Sequence, residues 1–342
     1  MTPHPRFRWS VGILLAGVLV ASGLTEAQAA APADASAPSS PAGDLTAATA
    51  ATALKDMIAE ATSTNNIRPG GNYLTQLGYL PDDGTYGCCN EYGPTSTSLE
   101  YNTADAAIGW FAGQLGDTAD SATFDNRAQD WRNLFNPASG LIQPKLSNGS
   151  WESGYCTGCY GGSFVEGTGY QYTAMVPFNL GGLAEDMGGN ASMNSYLDTI
   201  TSSLTGANGY MDLTNEPSFD IPWEYDYVGT PYKTQALVRS VQETQWAAAP
   251  ARFNAGSQTN DDLGAMSAWY AWSAMGMFPE TPGTSDLALG SPLFSQVVIT
   301  LPSGSTLTIN GNGAADNAPY VQSASWNGAA WNNAFLPTSA AA

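Results

Sequence analysis

Apolar residues recur at three- and four-residue steps through much of the chain, the spacing that lines one face of an α-helix. In TADAAIGWFAGQLG the series is Ala104, Ile108, Phe111, Ala112 and Leu115, with Thr103 placed as an N-cap. Phe124, Ala128, Trp131 and Phe135 repeat it before the Asn136-Pro137 break. The same periodicity predicts helices over 171–186, 193–204, 232–246 and 262–275, the third entered through Pro231 in its first turn. Glycine-, proline- and aromatic-rich loops separate them.

The pattern then changes period. QVVITLPSGSTLTIN alternates as two strands around a Pro-Ser-Gly-Ser turn, and YVQSASWNGAAW offers a hairpin at Asn327-Gly328. Helices followed by a few strands predict a mainly α domain with a small C-terminal antiparallel β appendage.

The N-terminus has a separate logic. Arg6 and Arg8, the apolar run VGILLAGVLV and the small-x-small site Ala27-Gln28-Ala29 form the pattern of an export signal over residues 1–29. Residues 30–53, nearly all Ala, Pro, Ser, Thr and Gly, read as a leader or linker. The expected folded parts are 54–290, mainly helical, and 291–337, the β region; the product is a secreted protein.

Charge narrows the partners. A formal charge of −20 repels phosphate backbones and anionic lipid, so neither nucleic acid nor a membrane surface is expected. Only 12% of residues are charged, against 10 Trp and 16 Tyr, a balance that suits a neutral, hydroxyl-rich ligand. The cysteines form two close pairs, Cys88-Cys89 and Cys156-x-x-Cys159. In an exported chain an even count favours disulfides, with a zinc site or redox work as the rivals, and cross-links between the two pairs are expected because adjacent cysteines bridge each other poorly.

Three polar clusters stand where loops meet predicted helices: Glu166 with Gln171 and Tyr172, then Asn215-Glu216-Pro217, then Asn260-Asp261-Asp262. Each has an ordinary reading as a helix cap or turn. The run Trp269-Tyr270-Trp272 reads as core packing more readily than as a sugar platform.

Taken together, FVEGTGYQYTAMVPFNLGGLAEDMGG, TNEPSFDIPWEYDYVGTPYKTQALVRSV and TNDDLGAMSAWYAWSAMGMFPETPGTSDLALGSPLF resemble the C-terminal half of glycoside hydrolase family 92 exo-α-mannosidases. LGYLP, STSLEYNTADAAIGWFAGQLG and WRNLFNPASGLIQPKLSNGSW are similar to the preceding family segments. The resemblance runs over about 77–326. It implies a partial (α/α)6 helical barrel, without the β-sandwich domain that precedes it in the family, and a calcium-dependent inverting mechanism on terminal mannose, α-1,2-linked, of oligosaccharides or glycoprotein glycans. Position by position it makes Glu166 the general acid and Asp262 the general base, with Asp261 as the alternative. It sets Gln171 and Asn260 beside the sugar, and Asn215 and Glu216 at calcium. The sequence departs from the family at Thr168-Gly169-Tyr170, where Asn, Ala and Trp are usual, and at Phe178-Asn179, where a His-Asp pair is common. Without the sandwich, the alternative is a non-catalytic carbohydrate-binding remnant, or one half of a split glycosidase that needs a missing domain or chain.

An acid that protonates a leaving alkoxide must keep its proton near neutral pH, which an apolar setting promotes. Phe164, Val165, Tyr170 and Tyr172 are expected to give Glu166 that setting, while Asp262 stays ionised in a wetter place. Inversion implies a separation of about 6.5–9.5 Å between the two carboxyls, with room for a water.

Overall fold

The computed structural model describes residues 47–63, 67–86, 93–246, 264–284, 286–301 and 304–337. The export-signal stretch 1–29, residues 30–46 of the leader, Cys88, Cys89, Asn260, Asp261 and Asp262 lie outside the described residues.

The described chain is mainly helical. The first helix, α1 (Ala47–Thr62), begins inside the stretch read as leader. Alanine is the strongest helix former, and here the run is anchored by Ala50 and Leu54, both buried. Helices α2 (Gly71–Leu77), α3 (Pro94–Gln114) and α4 (Thr118–Ala128) follow. Leu54 and Ala61 of α1 join Ile108, Ala112 and Phe124 in a small core of their own. Arg68 and Arg127 flank the buried carboxylate of Asp105 at 2.6 and 3.0 Å and tie the same helices together.

Helix α3 starts well before Thr103. That residue is buried within the helix and donates its hydroxyl to Leu99 O at 3.1 Å, so it is no cap; Gly93 holds the cap position and Pro94 the first turn. The early part of α3 turns Thr95, Ser96 and Ser98 inward, and small hydroxyls on a core face hide the helical period from a hydrophobicity pattern.

A short hairpin joins β1 (Phe135–Asn136) to β2 (Leu141–Ile142). The stretch expected as one helix over 171–186 is broken: α5 (Gly169–Thr173) stops, a single turn at Pro177–Asn179 follows, and α6 (Leu180–Asp186) restarts on the Asn179 cap. Pro177 cannot donate to a preceding turn, which explains the break. Then come α7 (Asn190–Ile200), tight turns at Glu216–Ser218 and Ile221–Asp226, α8 (Pro231–Gln245) and α9 (Ala265–Met275). The main core includes the buried rings of Trp131, Trp223, Trp269 and Trp272, so the aromatic run on α9 is core packing.

Strands β3 (Met277–Phe278) and β4 (Asp286–Leu289) pair antiparallel, and β9 (Phe335–Pro337) returns to the free side of β4. One three-stranded sheet thus spans both sides of residue 290. Between them lie two hairpins, β5 (Gln296–Thr300) with β6 (Thr306–Asn310), and β7 (Ala324–Trp326) with β8 (Ala329–Trp331). Both match the period-two pattern, and Asn327 and Gly328 have the positive φ of 47° and 83° that a tight two-residue turn demands.

Candidate active site

The loop that carries Glu166 is held from three sides. The start of α3 supplies the first: Thr95 Oγ1 meets Ser163 Oγ at 2.7 Å, and Val165 N donates to Ser96 Oγ at 3.0 Å. Gly93 is needed here because a Cβ would come within 2.7 Å of Ser163 O. Tyr172 supplies the second, its hydroxyl donating to Val165 O at 2.9 Å. The third is a reciprocal cap on α5. Gln171 N donates to Thr168 Oγ1 at 3.3 Å, Thr168 N to Gln171 Oε1 at 3.1 Å, and Thr168 Oγ1 to Gly209 O at 2.6 Å. Gln171 Nε2 reaches Tyr210 O at 2.6 Å and Tyr160 Oη at 3.2 Å. Gln171 is therefore buried with both ends of its amide engaged in the framework, and it positions the Glu166 loop from beneath.

Within this frame Glu166 has φ 50°, the left-handed region that a non-glycine residue enters at a cost on the order of 1 kcal/mol and keeps only when its surroundings impose it. Phe164 and Tyr172 are buried with their rings 5.6 Å apart. Glu166, however, is exposed. The expectation of an apolar pocket is thus corrected: the left-handed turn lifts this side chain off the aromatic layer instead of folding it in.

Two of the three predicted clusters come together. Asn215 Nδ2 donates to Glu166 O at 2.9 Å and lies 3.5 Å from Glu166 Oε2. Asn215 is extended and immediately precedes the Glu216–Ser218 turn, where Pro217 sits in the first turn. Its side-chain oxygen and the Glu216 carboxylate are the hard oxygen donors that calcium takes. Among the described residues no three acidic, His or Cys side chains converge closely enough to hold a metal alone.

Behind this edge, Glu216 is joined by two carboxyls that the sequence reading did not single out, Asp220 and Glu224. Glu216, Asp220 and Glu224, at four-residue steps, line one small cavity with Ala174, Met175, Pro217 and Ile221. Glu224 is fully buried, and neither of its carboxylate oxygens has a hydrogen-bond partner among the described residues. Its burial, then the nearby Asp220, raise its pKa well above the usual carboxylate range. Asp220 is pushed up to about 7, first by burial and then by the charge of Glu100. Carboxyls that hold a proton near neutral pH thus lie across the Asn215 turn from Glu166. The signal was available as the 216, 220, 224 spacing in NEPSFDIPWE.

The cysteine expectation is also corrected. Cys156 bonds to Cys159, with 5.4 Å between their Cα atoms, rather than to the other pair. A turn closed by Cys159 N donating to Cys156 O at 3.2 Å brings the two together, a geometry that adjacent residues lack. Gly158 of this turn packs against the Asn208–Gly209 backbone, so the disulfide buttresses the surface on which Thr168 is anchored.

The chain as a whole has relatives of known family. Residues 20–342 match the catalytic domain of glycosyl hydrolase family 92. The chain belongs to that family. Among solved structures, a family 92 inverting mannosidase of Bacteroides thetaiotaomicron shares 28% identity at a TM-score of 0.76, covering 88% of this chain and 42% of that one. A family 92 α-mannosidase of the same organism, in complex with mannoimidazole, has the same fold at 23% identity and a TM-score of 0.80, over 97% of this chain and 42% of that one. A secreted glycosidase of Arthroderma benhamiae, itself uncharacterised, is 27% identical over 68% of this chain and 32% of its own length. The chain spans less than half the length of these family 92 relatives and of the fungal glycosidase. None of its described helices is long and apolar enough to cross a membrane.

Proposed function

We propose that this chain is an exported, calcium-dependent, inverting exo-α-mannosidase that removes terminal α-1,2-linked mannose from oligosaccharides or glycoprotein glycans. The observation that carries the reading is the union of Glu166 and Asn215: an exposed glutamate with a strained backbone, its carbonyl held by an amide whose own neighbour is acidic. The kinship with an inverting mannosidase supports the reaction class.

In this reading Glu166 gives its proton to the leaving glycosidic oxygen, and Asp262, or else Asp261, accepts a proton from the water that attacks C1 from the opposite face. The bond from C1 to the leaving oxygen breaks as the bond to water forms, and the configuration inverts. Calcium, when bound, would supply positive charge and positioning for two sugar hydroxyls. Asn215 Oδ1 and the Glu216 carboxylate fit it by donor chemistry, since calcium takes hard oxygen ligands in flexible numbers. Asn260 and Gln171 complete the proposed surroundings, Asn260 towards the sugar and Gln171 through the loop.

A second reading is favoured by the exposure of Glu166: a carbohydrate-binding remnant, or half of a split glycosidase whose other part closes over that carboxyl. Mannose release from α-1,2-mannobiose, assayed with and without excess chelator, separates the two. Release abolished by chelator and restored by calcium supports the enzyme; no release from a folded sample supports the remnant.

A further inference from the structure

A cavity larger than the small acidic one has no part of Glu166 in its lining. It is a groove of about 510 Å³ between the 177–181 turn, Tyr227 and the sheet formed by β4 and β9. It shares no lining residue with the small acidic cavity, yet both are built on the same two segments. Ala174 and Met175 line one and Pro177 the other; Glu224 lines one and Tyr227 the other.

Its chemistry is specific. Phe178, Tyr227 and Phe335 line it, the last two with ring centroids 4.5 Å apart, and all three remain partly exposed. The frame is fixed internally: Thr281 Oγ1 donates to Pro177 O at 3.0 Å and lies 3.3 Å from Tyr227 Oη, while Thr284 Oγ1 donates to Thr281 O at 2.9 Å. Two polar groups are left for a ligand. Asp286 is exposed at the start of β4, and Asn333 is exposed with only its side-chain oxygen engaged, accepting from Phe335 N at 3.2 Å. The lining has no Lys, Arg or His, so it offers nothing to a phosphate, sulfate or uronate.

We infer that this groove is a second saccharide-binding site, which holds a neutral oligosaccharide against the Phe178, Tyr227 and Phe335 rings with its hydroxyls on Asp286 and Asn333. Aromatic faces cover the apolar side of a pyranose, a carboxylate accepts from two adjacent hydroxyls, and an amide N–H donates back. The volume falls within the range of small-ligand sites and exceeds what a single water or ion needs. The choice of a sugar over other neutral ligands rests on the proposed glycosidase reading.

The test is calorimetric titration of α-1,2-mannobiose into the full chain carrying Glu166→Gln, which prevents turnover, and into the same chain with Asp286→Asn and Asn333→Ala added. Both added positions are exposed, and Asn333→Ala alone serves as the milder variant should the pair disturb β9. Loss of hydrogen bonds to a charged acceptor predicts binding weakened about tenfold or more. Asn215→Ala should leave that component intact. Unchanged affinity in the groove variants, or no saccharide binding at all, overturns the inference. So does binding that vanishes only with Asn215→Ala. Hydrolysis measured separately on the Glu166 chain judges the enzyme reading, so an inactive chain that still binds through Asp286 and Asn333 retains this site.

Discussion

Thr168 helps to hold the loop that carries Glu166. The hydroxyl of Thr168 accepts from Gln171 N and donates to Gly209 O, which couples the cap of α5 to the neighbouring turn just two residues beyond the strained position. Thr168→Ala should cost about 1 kcal/mol, which lowers Tm by roughly 2–4 °C. In the enzyme reading it should also lower kcat more than it raises KM, because the acid is mispositioned while the sugar contacts persist. A purely structural cap would lower Tm and leave kcat unchanged; thermal denaturation beside steady-state kinetics distinguishes the two. Glu166 and Asn215, which the sequence places in separate clusters, meet in the structure. The exposure of Glu166 does not follow from the sequence, because the sign of a single φ angle decides whether a side chain joins the Phe164–Tyr172 layer or leaves it, and residue types do not encode that sign. Gln171 was legible as a cap from the Thr-x-x-Gln spacing, and that role engages its amide.

Elements were legible where one physical signal dominated. Pro231 set the start of α8, Asn327-Gly328 set the β7–β8 turn, and alternation set β5 and β6. The signal failed where polar residues are buried, as along the start of α3, and where a proline divides a continuous apolar pattern, as at Pro177. It failed also at α1, whose alanine-rich sequence looks featureless but whose Leu54 packs on α3 and α4. Leu54→Ala should therefore destabilise the chain by about 2–3 kcal/mol, the usual cost of a large-to-small change in a core. Chemical denaturation of the variant checks this; a change within about 0.5 kcal/mol, typical of surface positions, would return α1 to the status of a leader.

At the scale of the whole molecule, the interior is acidic. Glu224, Glu280 and Asp226 are buried, and none of the carboxylate oxygens of Glu224 and Glu280 has a hydrogen-bond partner among the described residues. Burial first, then mutual repulsion with Asp220, Glu224 and Asp226, holds Glu280 well above the usual range. Burial pushes Asp226 up to about 8, opposed by the Thr234 hydroxyl. An unfolded carboxyl titrates near pH 4, so between about pH 4 and pH 8 the folded chain binds more protons than the unfolded one. Stability must then fall as pH rises through that window. Tm should be highest at about pH 4 and several degrees lower by about pH 8.5, and Glu280→Gln should flatten the slope. A Tm that climbs from acid to neutral pH would contradict the protonated interior.

The family was legible from ordered motifs, and the architecture agrees with it as far as a mainly helical chain. What the chain does depends on whether the exposed Glu166 carboxyl can act. The most direct measurement is mannose release from α-1,2-mannobiose by the purified chain beside Glu166→Gln. Replacing an exposed carboxyl should leave Tm unchanged, so any difference reports chemistry rather than folding. The account predicts release by the parent chain and its loss, by about a hundredfold or more as expected for a general acid, in the variant. Equal release by both would remove Glu166 from the reaction and contradict the account.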